Sequence, residues 1–338
     1  MASPSEQTVL VTGANGFVAG QIISTLIKAG YNVRGTVRSE SSIAGIIAAH
    51  PSHESQLSFA IVPDMTEPSN YKDALSGVTG IMHTASPFVL AVKDIATELL
   101  DPAINGVTCI LKAAKEYGPS VKRVILTSSF AAILDMTQGY RPGYTYTETD
   151  WNPMTYTEAQ TVDGATAYCA SKALAEAAGW EWMRKNSPAF AFSTICAPWI
   201  FGPNISGIKD LSKLNESTHA LYALLGAEKI PPTDFAGFAD VRDVALAHLR
   251  VLELEEAQGE RFLVGSHFDY QTAVDEVVKV LPELKERLPK GVSGSGLKEE
   301  VYALDGSKAE RILGIEYTPL SVTMRDAFAQ LVEKEKSG

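Results

Sequence analysis

Cysteine is scarce in this sequence, and its spacing excludes two kinds of stabilising site. Only three cysteines occur in 338 residues, at Cys109, Cys169 and Cys196. They form no C-x-x-C motif, and no histidine stands at the spacing of a zinc ligand, so we expect neither a disulfide framework nor a metal site. An odd number of reduced thiols is typical of the cytoplasm, which is the compartment we expect for this chain.

Positive charge is also in short supply. Lys and Arg number 29 against 40 Asp and Glu, which gives a formal net charge of −11. Nucleic acids and anionic membranes are held by basic surfaces, so we expect neither of them as a partner. A small anionic ligand in a local positive pocket remains compatible with this balance.

Long apolar runs are missing as well. The longest uncharged stretch lies between Lys185 and Lys209, and Pro188, Pro198 and Pro203 interrupt it, which is not the pattern of a membrane-spanning helix. The polar residues 1–7 lack the basic start and the apolar stretch of a secretory signal. We therefore expect no membrane segment and no signal peptide.

The first two thirds of the chain alternate short apolar runs with longer helical patterns. Such runs predict buried parallel strands, and the helices between them predict cover on both faces of a sheet. We expect strands at Thr8–Val11, Asn32–Val37, Leu57–Val62, Gly80–Ala85, Val121–Thr127 and Phe190–Cys196. The longer helices are expected at Phe17–Lys28, Asp94–Tyr117 and Ala165–Lys185. The sequence therefore predicts an α/β fold with a doubly wound parallel sheet.

Beyond Pro198 the alternation breaks up among prolines, glycines and polar residues, and helical patterns return only near the end. This change predicts a smaller C-terminal lobe. We expect the larger lobe to contain residues 1–197 and part of 238–265. The smaller lobe is expected to contain residues 198–237 and 266–338.

A turn with two glycines, residues 12–16 (TGANG), connects the first strand to the first helix. One glycine permits a tight bend, and the second lets the backbone approach a pyrophosphate at the N-terminus of the helix. The strand before the turn and the helix after it are typical of a Rossmann dinucleotide site. The residues that this pattern predicts to hold the dinucleotide are Gly13 and Gly16, at the N-terminus of the first helix.

The end of the second strand indicates which dinucleotide is bound. An acidic residue at that place bonds the 2′-hydroxyl of NAD, but this sequence has Arg38 followed by Ser39. A guanidinium is suited to a 2′-phosphate. The sequence therefore predicts NADPH or NADP as the cofactor.

Tyr168 and Lys172 stand four residues apart in a helical segment, which places them on one face, one turn apart. An ammonium near a phenol favours the phenolate and is expected to lower the pKa of Tyr168. Such a tyrosine can give a proton to a carbonyl oxygen or take one from an alcohol. Ser129 ends the fifth strand, where ligands bind in sheets of this kind, although a serine at a strand end is also a common turn cap.

Together these motifs resemble the extended short-chain dehydrogenases/reductases. Within that family the sequence is similar to the fungal and yeast NADPH-dependent carbonyl reductases and to the plant dihydroflavonol 4-reductases, over nearly the whole chain. The segments that carry the resemblance are His83–Phe88, Leu126–Ser129, Thr149–Pro153, Ala167–Lys172, Ile200–Pro203 and Asp240–Ala245.

The resemblance implies an enzyme that reduces aldehydes and ketones, and it assigns roles by matched position. Tyr168 is the implied proton donor, Lys172 lowers its pKa and holds the ribose hydroxyls, and Ser129 orients the carbonyl. Further cofactor contacts are implied for Asn15, Phe17, Val18, Asp64, Met65, Thr84, Ala85, Ser86, Pro198, Trp199 and Ile200. A substrate pocket is implied at Phe88, Phe130, Leu134, Trp199 and Tyr222, and the smaller lobe is expected to bind the substrate.

Two other polar groups are interpreted as structural. His83, in the fourth strand, is predicted to be a packing residue with its hydrogen bonds satisfied. Asp240, Arg242 and Asp243 precede a helix and are predicted to tie the lobes together by capping and ion pairing.

Two alternative functions stay open at this point. One is a nucleotide-sugar epimerase or dehydratase of the same fold, although Arg38 and the apolar pocket residues speak against it. The other is a dinucleotide-sensing regulator without catalysis, which would have no reason to keep Ser129, Tyr168 and Lys172 together. Both a monomer and a homodimer are compatible with the sequence.

Overall fold

The apolar runs of the sequence form the strands of the structure. The computed structural model describes residues 3–86, 93–297 and 300–337. The strands within them are β1 (Thr8–Thr12), β2 (Asn32–Val37), β3 (Leu57–Ile61), β4 (Val78–His83), β5 (Arg123–Ser129), β6 (Thr145–Tyr146), β7 (Ala191–Ala197), β8 (Trp199–Phe201), β9 (Gly237–Asp240), β10 (Arg261–Leu263), β11 (Ser266–His267) and β12 (Ala303–Leu304). The helices are α1 (Phe17–Lys28), α2 (Ile43–Ala49), α3 (Asp101–Tyr117), α4 (Tyr156–Ala159), α5 (Gly164–Asn186), α6 (Glu216–Tyr222), α7 (Val241–Glu253), α8 (Tyr270–Val280), α9 (Ser307–Leu313) and α10 (Leu320–Ser337).

One parallel sheet organises the larger part of the chain. Its seven strands are arranged in the order β3-β2-β1-β4-β5-β7-β10, and each neighbouring pair is parallel. The order reverses between β1 and β4, which is the point where ligands bind in doubly wound sheets. The expected α/β Rossmann fold is confirmed.

Successive side chains of a strand lie alternately in two separate hydrophobic clusters, one on each face of the sheet. Val9 and Val11 of β1 lie in one cluster with Ile23 of α1, and helix α7 packs on the same side. Leu10, which points the opposite way, lies in a second cluster with Ile110 of α3. The period of two along the strand thus distributes the helices over both faces of the sheet.

Strand boundaries differ from expectation where the site is built. β4 ends at His83, two residues earlier than expected, because the next two amides donate to the Thr12 hydroxyl instead of to a neighbouring strand. β5 runs two residues further than expected, to Ser129, because it stays paired with β7 as far as Ala197. Helix α3 begins only after a π-helical turn, Ala96–Leu100.

A second, smaller assembly follows the main sheet. β8 pairs with β9 in parallel and β11 pairs with β9 in antiparallel orientation. Helices α6, α8 and α10 contribute to a separate hydrophobic cluster that includes Phe201, Phe268 and Phe328. Helices α8 and α10 lie where the sequence predicts helical patterns near its end. Strands β8, β9 and β11 and helix α6 were not predicted, because segments of two to seven residues carry too little periodicity.

The division into lobes stays a prediction, and the packing runs across it in two places. Ala309 and Leu313 of α9 belong to the same cluster as β1 and α1, although residues 266–338 are expected in the smaller lobe. β12 pairs with β6, which joins residues 303–304 to residues 145–146. The C-terminal segment therefore contributes to both assemblies.

The group at the start of α7 has the structural role predicted for it. Asp240 accepts the Arg242 amide at 2.8 Å and so caps the helix. The Arg242 guanidinium pairs with Asp240 and, at 2.7 Å, with Asp326 of α10. Asp243 accepts from both the amide and the hydroxyl of Thr318. These contacts fasten α7 to the C-terminal helix.

Within the described ranges, no helix combines the length and the hydropathy needed to cross a bilayer. In the same residues, no group of at least three His, Cys, Asp or Glu side chains could hold a metal ion.

Phe328→Ala is expected to destabilise the smaller assembly strongly. Phe328 is fully buried in its hydrophobic cluster. Truncating such a side chain leaves a cavity and lowers the free energy of unfolding by about 3–5 kcal/mol. The measurement is the free energy of urea unfolding followed by circular dichroism. Lys336→Ala on the exposed part of the same helix serves as the control, with an expected change within about 0.5 kcal/mol. A loss below about 1 kcal/mol for Phe328→Ala would contradict the packing described here.

Candidate active site

The glycine turn at the end of β1 has the shape that the sequence predicts. Gly13 adopts φ +65°, and a Cβ there would lie 3.2 Å from the Ala85 Cα, so both the conformation and the space require glycine. Gly16 is the N-cap of α1, and no side chain caps this helix end. Asn15 and Gly16 are exposed at the tip of the turn.

This turn fits a bound dinucleotide. The first amides of α1 lack a side-chain acceptor, so a pyrophosphate can take that place at the positive end of the helix dipole. Phe17 and Val18 are half-buried in the first turn of α1, and Ala19 behind them is buried. The predicted cofactor contacts of this segment therefore lie together around one helix N-terminus.

The end of β2 lies beside the turn. The Ala14 amide donates to the Thr36 carbonyl oxygen at 2.9 Å, which brings Arg38, two residues further on, close to the tip of the turn. The Arg38 side chain is exposed and makes no ion pair with any described residue. Its guanidinium is therefore available for a phosphate.

Thr12 connects the glycine turn to the residues that follow β4. Its Oγ1 accepts the amides of Thr84 at 3.1 Å and Ala85 at 3.0 Å. Because a hydroxyl oxygen has two lone pairs, its proton is left to donate to Nδ1 of His83, 3.0 Å away. This assigns the remaining imidazole proton to Nε2 of His83.

His83 differs from the prediction made for it. Its ring is buried as expected, but Nε2 has no hydrogen-bond partner among the described residues. Burial, helped by the charge of Lys172, lowers the pKa of His83 to about 3, so the ring is neutral. His83 therefore has an N–H donor without a partner among the described residues, and its side chain lines the cleft that is described below.

Helix α5 brings Tyr168 and Lys172 to the same place. The Lys172 ammonium donates to Oγ of Ser86 at 2.6 Å, and it lies 5.2 Å from the centroid of the Tyr168 ring. Ser86 follows β4 by three residues, and Gly13 packs against the neighbouring Ala85. The Tyr–Lys pair and the glycine turn thus meet at the switch point of the sheet.

The pKa values of this pair correct the expectation from the sequence. Burial raises the pKa of Tyr168 above its usual value, and burial lowers the pKa of Lys172 to about 8. The Lys172 ammonium lies over the ring face and is directed to Ser86, so desolvation of the phenol outweighs the expected lowering.

Ser129 is the last residue of β5 and is half-buried. Its Oγ accepts the Ala131 amide at 3.1 Å and so caps the turn Phe130–Ala132. That turn packs against α5. Ser129 is therefore a turn cap in the structure, and its catalytic role stays a prediction. Of the two serines, Ser128 lines the cleft that also contains Lys172.

A cleft at this edge of the sheet collects part of the predicted site. Its walls include four residues predicted to bind the cofactor, Met65, Ala85, Ser86 and Lys172. It also includes four polar residues that sequence reasoning did not assign to the site, His83, Thr127, Ser128 and Glu176. The spacing of four from Lys172 to Glu176 was a usable signal for the last of these.

The remaining predicted cofactor residues lie at strand ends around the cleft. Asp64 follows β3, and its carboxylate accepts from the amide and hydroxyl of Thr66, which holds its pKa below the usual value. Pro198 is buried between β7 and β8, in contact distance of Gly237 and Gly265. Ile200 is half-buried in β8.

The predicted substrate residues are more dispersed. Phe130 and Leu134 are buried in an aromatic cluster with Tyr146 and Tyr302, so they support a pocket wall more readily than they touch a ligand. Trp199 is half-buried, and its Nε1 donates to Asp234 at 3.0 Å.

Two further substrate predictions stay untested. The Tyr222 hydroxyl donates to Glu335 at 3.2 Å, which turns it toward α10. Phe88 lies outside the described residues. The substrate pocket therefore stays a prediction as a whole.

A doubly wound sheet with an uncapped glycine turn at its switch point, and a Tyr-x-x-x-Lys pair beside that turn, is the architecture of a dinucleotide-dependent extended short-chain dehydrogenase/reductase. The family comparison agrees with this class. Residues 9–265 match the NAD dependent epimerase/dehydratase family, and the chain belongs to that family.

Relatives narrow the similarity further. The chain is 36% identical over 342 residues to the NADPH-dependent methylglyoxal reductase GRE2 of Saccharomyces cerevisiae, covering 97% of this chain and 99% of the relative. It is 35% identical over 335 residues to the ketoreductase azaE of Aspergillus niger, covering 96% and 98%. The crystal structure of yeast methylglyoxal/isovaleraldehyde reductase Gre2 complexed with NADPH superposes with a TM-score of 0.90 at 34% identity, over 98% of this chain and 99% of that one.

Arg38→Ala is expected to weaken NADPH specifically. Loss of a charged hydrogen-bonding group, worth about 1.5–3 kcal/mol, predicts that KM for NADPH rises about 10- to 100-fold. KM for NADH should change less than about twofold, because NADH has no 2′-phosphate. Initial rates with both coenzymes check this, with Arg311→Ala on the exposed face of α9 as a matched control. Equal changes in KM for NADPH and for NADH would contradict the role given to Arg38.

Proposed function

We propose that this chain reduces aldehydes and ketones to alcohols with NADPH as the hydride donor. The observation that carries the proposal is the Lys172–Ser86 hydrogen bond of 2.6 Å, because it brings the Tyr168 helix to the strand end that packs on the glycine turn. Oxidoreductase chemistry needs this proximity of a proton donor and a dinucleotide site. The reductases among the relatives support the same reaction.

Each proposed residue has a separate task. NADPH, when bound, supplies the hydride that adds to the carbonyl carbon. Tyr168 gives its phenolic proton to the carbonyl oxygen as the C–O bond becomes single, and Ser129 donates a hydrogen bond to the same oxygen. The Lys172 ammonium stabilises the phenolate that remains. Arg38 and the N-terminus of α1 hold the phosphates of the cofactor.

The proposed substrates are hydrophobic carbonyl compounds. The predicted pocket residues are aromatic or aliphatic, and the Phe130 cluster behind them makes their support apolar as well. Such walls favour aldehydes, keto esters and diketones over sugars with many hydroxyl groups. Methylglyoxal and isovaleraldehyde (3-methylbutanal), which the names of relatives mention, are suitable first substrates.

A coenzyme and carbonyl panel tests the proposed function. NADPH and NADH oxidation are followed with methylglyoxal, 3-methylbutanal, keto esters and diketones, and the alcohols are identified by chiral chromatography. Consumption of NADPH with formation of alcohol is the expected result. Tight NADPH binding without turnover across the panel would instead indicate a dinucleotide sensor. Conversion of a UDP-sugar with retained coenzyme would indicate an epimerase.

The cytoplasm and a monomeric or homodimeric state complete the proposal. Cys109, Cys169 and Cys196 are all buried free thiols, which suits a reducing compartment. Sedimentation at several protein concentrations distinguishes the two oligomeric states.

Tyr168→Phe is expected to lower kcat about 10²- to 10⁴-fold, since the variant lacks the proton to be transferred. The dissociation constant of NADPH should stay within about threefold, because the ring and its packing remain. Tyr117→Phe, at the end of α3, removes a tyrosine hydroxyl away from the site and should keep full activity. Turnover by Tyr168→Phe at the wild-type rate would refute the assignment.

The pH profile should show the titration of Lys172. Burial disfavours its charged form, so the ammonium loses its proton near pH 8 instead of in the ordinary range of lysine. As the pH rises through this value, the charge that stabilises the phenolate is lost and kcat/KM for reduction falls. In Lys172→Arg, which stays charged, a slower reaction without this midpoint is expected. A wild-type profile that is flat to about pH 10 would contradict the prediction.

A further inference from the structure

Glu176 is a fully buried carboxylate on α5, one turn beyond Lys172. The hydroxyl of Ser128 donates to its Oε2 at 2.6 Å, and the hydroxyl of Thr194 donates to its Oε1 at 2.7 Å. The Arg261 guanidinium adds a charged donor, with Nε 2.7 Å from Oε1. Trp180 Nε1 and Cys196 Sγ also donate to this carboxylate, at 3.2 Å and 3.4 Å. One side chain of α5 therefore holds groups from β5, β7 and β10.

Packing alone does not account for a charge at this depth. Burial raises the pKa of Glu176, but the charge of Arg261 and the hydrogen bonds from Arg261, Ser128 and Thr194 together outweigh it, so the pKa is lowered and the carboxyl stays ionised. A buried ion pair of this kind is often no more stabilising than apolar residues of similar volume. The pair is better explained by its directional hydrogen bonds, because they fix the orientation of the bonded side chains and a hydrophobic contact does not.

The partners that Glu176 fixes adjoin the proposed catalytic residues. Ser128 immediately precedes Ser129 on β5, while Tyr168 and Lys172 lie on the helix that carries Glu176. Successive side chains of a strand point to opposite faces, so a hydrogen bond that holds Ser128 also fixes the direction of Ser129. The hydrogen bond between Ser128 and Glu176 thus fixes β5, which carries Ser129, relative to α5, which carries Tyr168 and Lys172.

Arg261 in turn holds the segment of the chain that follows Ser129. Its guanidinium donates to the carbonyl oxygens of Ala132, Glu148 and Asp150, and it lies 3.8 Å from the centroid of the Trp151 ring. The segment that carries the predicted pocket residues is therefore anchored to the counter-ion of Glu176.

We propose that Glu176 is a positioning residue, which holds Ser129 in register with Tyr168 and Lys172 through its hydrogen bond to Ser128. This inference rests on the proposed function. It goes beyond that function in giving a reaction-related role to a buried carboxylate to which no proton transfer and no cofactor contact is assigned.

Ser128→Ala and Thr194→Val form a matched pair for the test. Each variant removes one hydroxyl donor from the same carboxylate, but only Ser128 adjoins Ser129. We expect Ser128→Ala to lower kcat about tenfold, with the NADPH dissociation constant within about twofold of wild type. Thr194→Val should keep kcat within about twofold, and both variants should lower Tm by similar amounts. Ser128→Thr, which retains the hydroxyl, should restore kcat to within about threefold of wild type.

A double variant tests whether Ser128 acts through Glu176. In a Glu176→Leu background, Ser128→Ala should lower kcat less than about twofold further, because no hydrogen-bond acceptor is left at position 176. A full additional loss would mean that Ser128 acts directly and would overturn the proposal. If Glu176→Leu does not fold, the comparison of Ser128→Ala with Thr194→Val still decides the question.

Two other outcomes would overturn the inference. One is wild-type kcat in Ser128→Ala, and the other is an equal loss of kcat in Thr194→Val. Ser129→Ala, measured in parallel, separates this failure from failure of the proposed function. Loss of kcat in Ser129→Ala with none in Ser128→Ala rejects only the positioning role, whereas full activity in Ser129→Ala rejects the catalytic assignment of Ser129 itself.

Discussion

The strands of the main sheet run parallel, and this constraint determines where the chemistry of the protein takes place. Parallel strands present their carboxyl ends at one edge, so the residues that follow them meet there even when they are distant in sequence. Arg38 follows β2, Ser86 follows β4, Ser129 ends β5 and Pro198 follows β7. The crossover helices then bring Tyr168 and Lys172 to the same edge. The site is therefore a consequence of the winding order, and short motifs decide only which groups stand at each strand end.

This origin explains which parts of the site could be predicted from the sequence. The glycine turn and the Tyr168–Lys172 pair are local, because their spacing alone fixes their geometry on a turn or a helix. The buried pair of Glu176 and Arg261 spans 85 residues, and no spacing rule connects two such positions. Phe130 was predicted to face a ligand, but tertiary packing buries it completely. Burial also reversed the expected pKa shift of Tyr168, since the degree of desolvation depends on neighbours from several elements.

Lys172 of α5 shows how the fold accommodates function at the expense of stability. Lys172 has a folded-state pKa of about 8 against 10.5 for a free side chain, so the unfolded chain binds more protons between these values. Stability is therefore expected to rise with pH across this window, while the charge needed by Tyr168 is lost. Below the window, the protein holds an ammonium in a place that disfavours it. Such a conflict between stability and charge state is typical of residues retained for their chemistry.

The family to which the chain belongs is named for epimerases and dehydratases, and one fold can serve both a reductase and the alternative function of a nucleotide-sugar epimerase. The two functions differ in the charge of the substrate that the site must bind. A nucleotide sugar carries a diphosphate of its own, which needs cations in addition to those that bind the coenzyme. Of the described residues that line the cleft, Lys172 is the one cation, and His83 beside it is neutral. In a chain with a net charge of −11, a second diphosphate would meet mostly repulsion, whereas an uncharged carbonyl compound would not. The electrostatics of the cleft therefore favour the reductase.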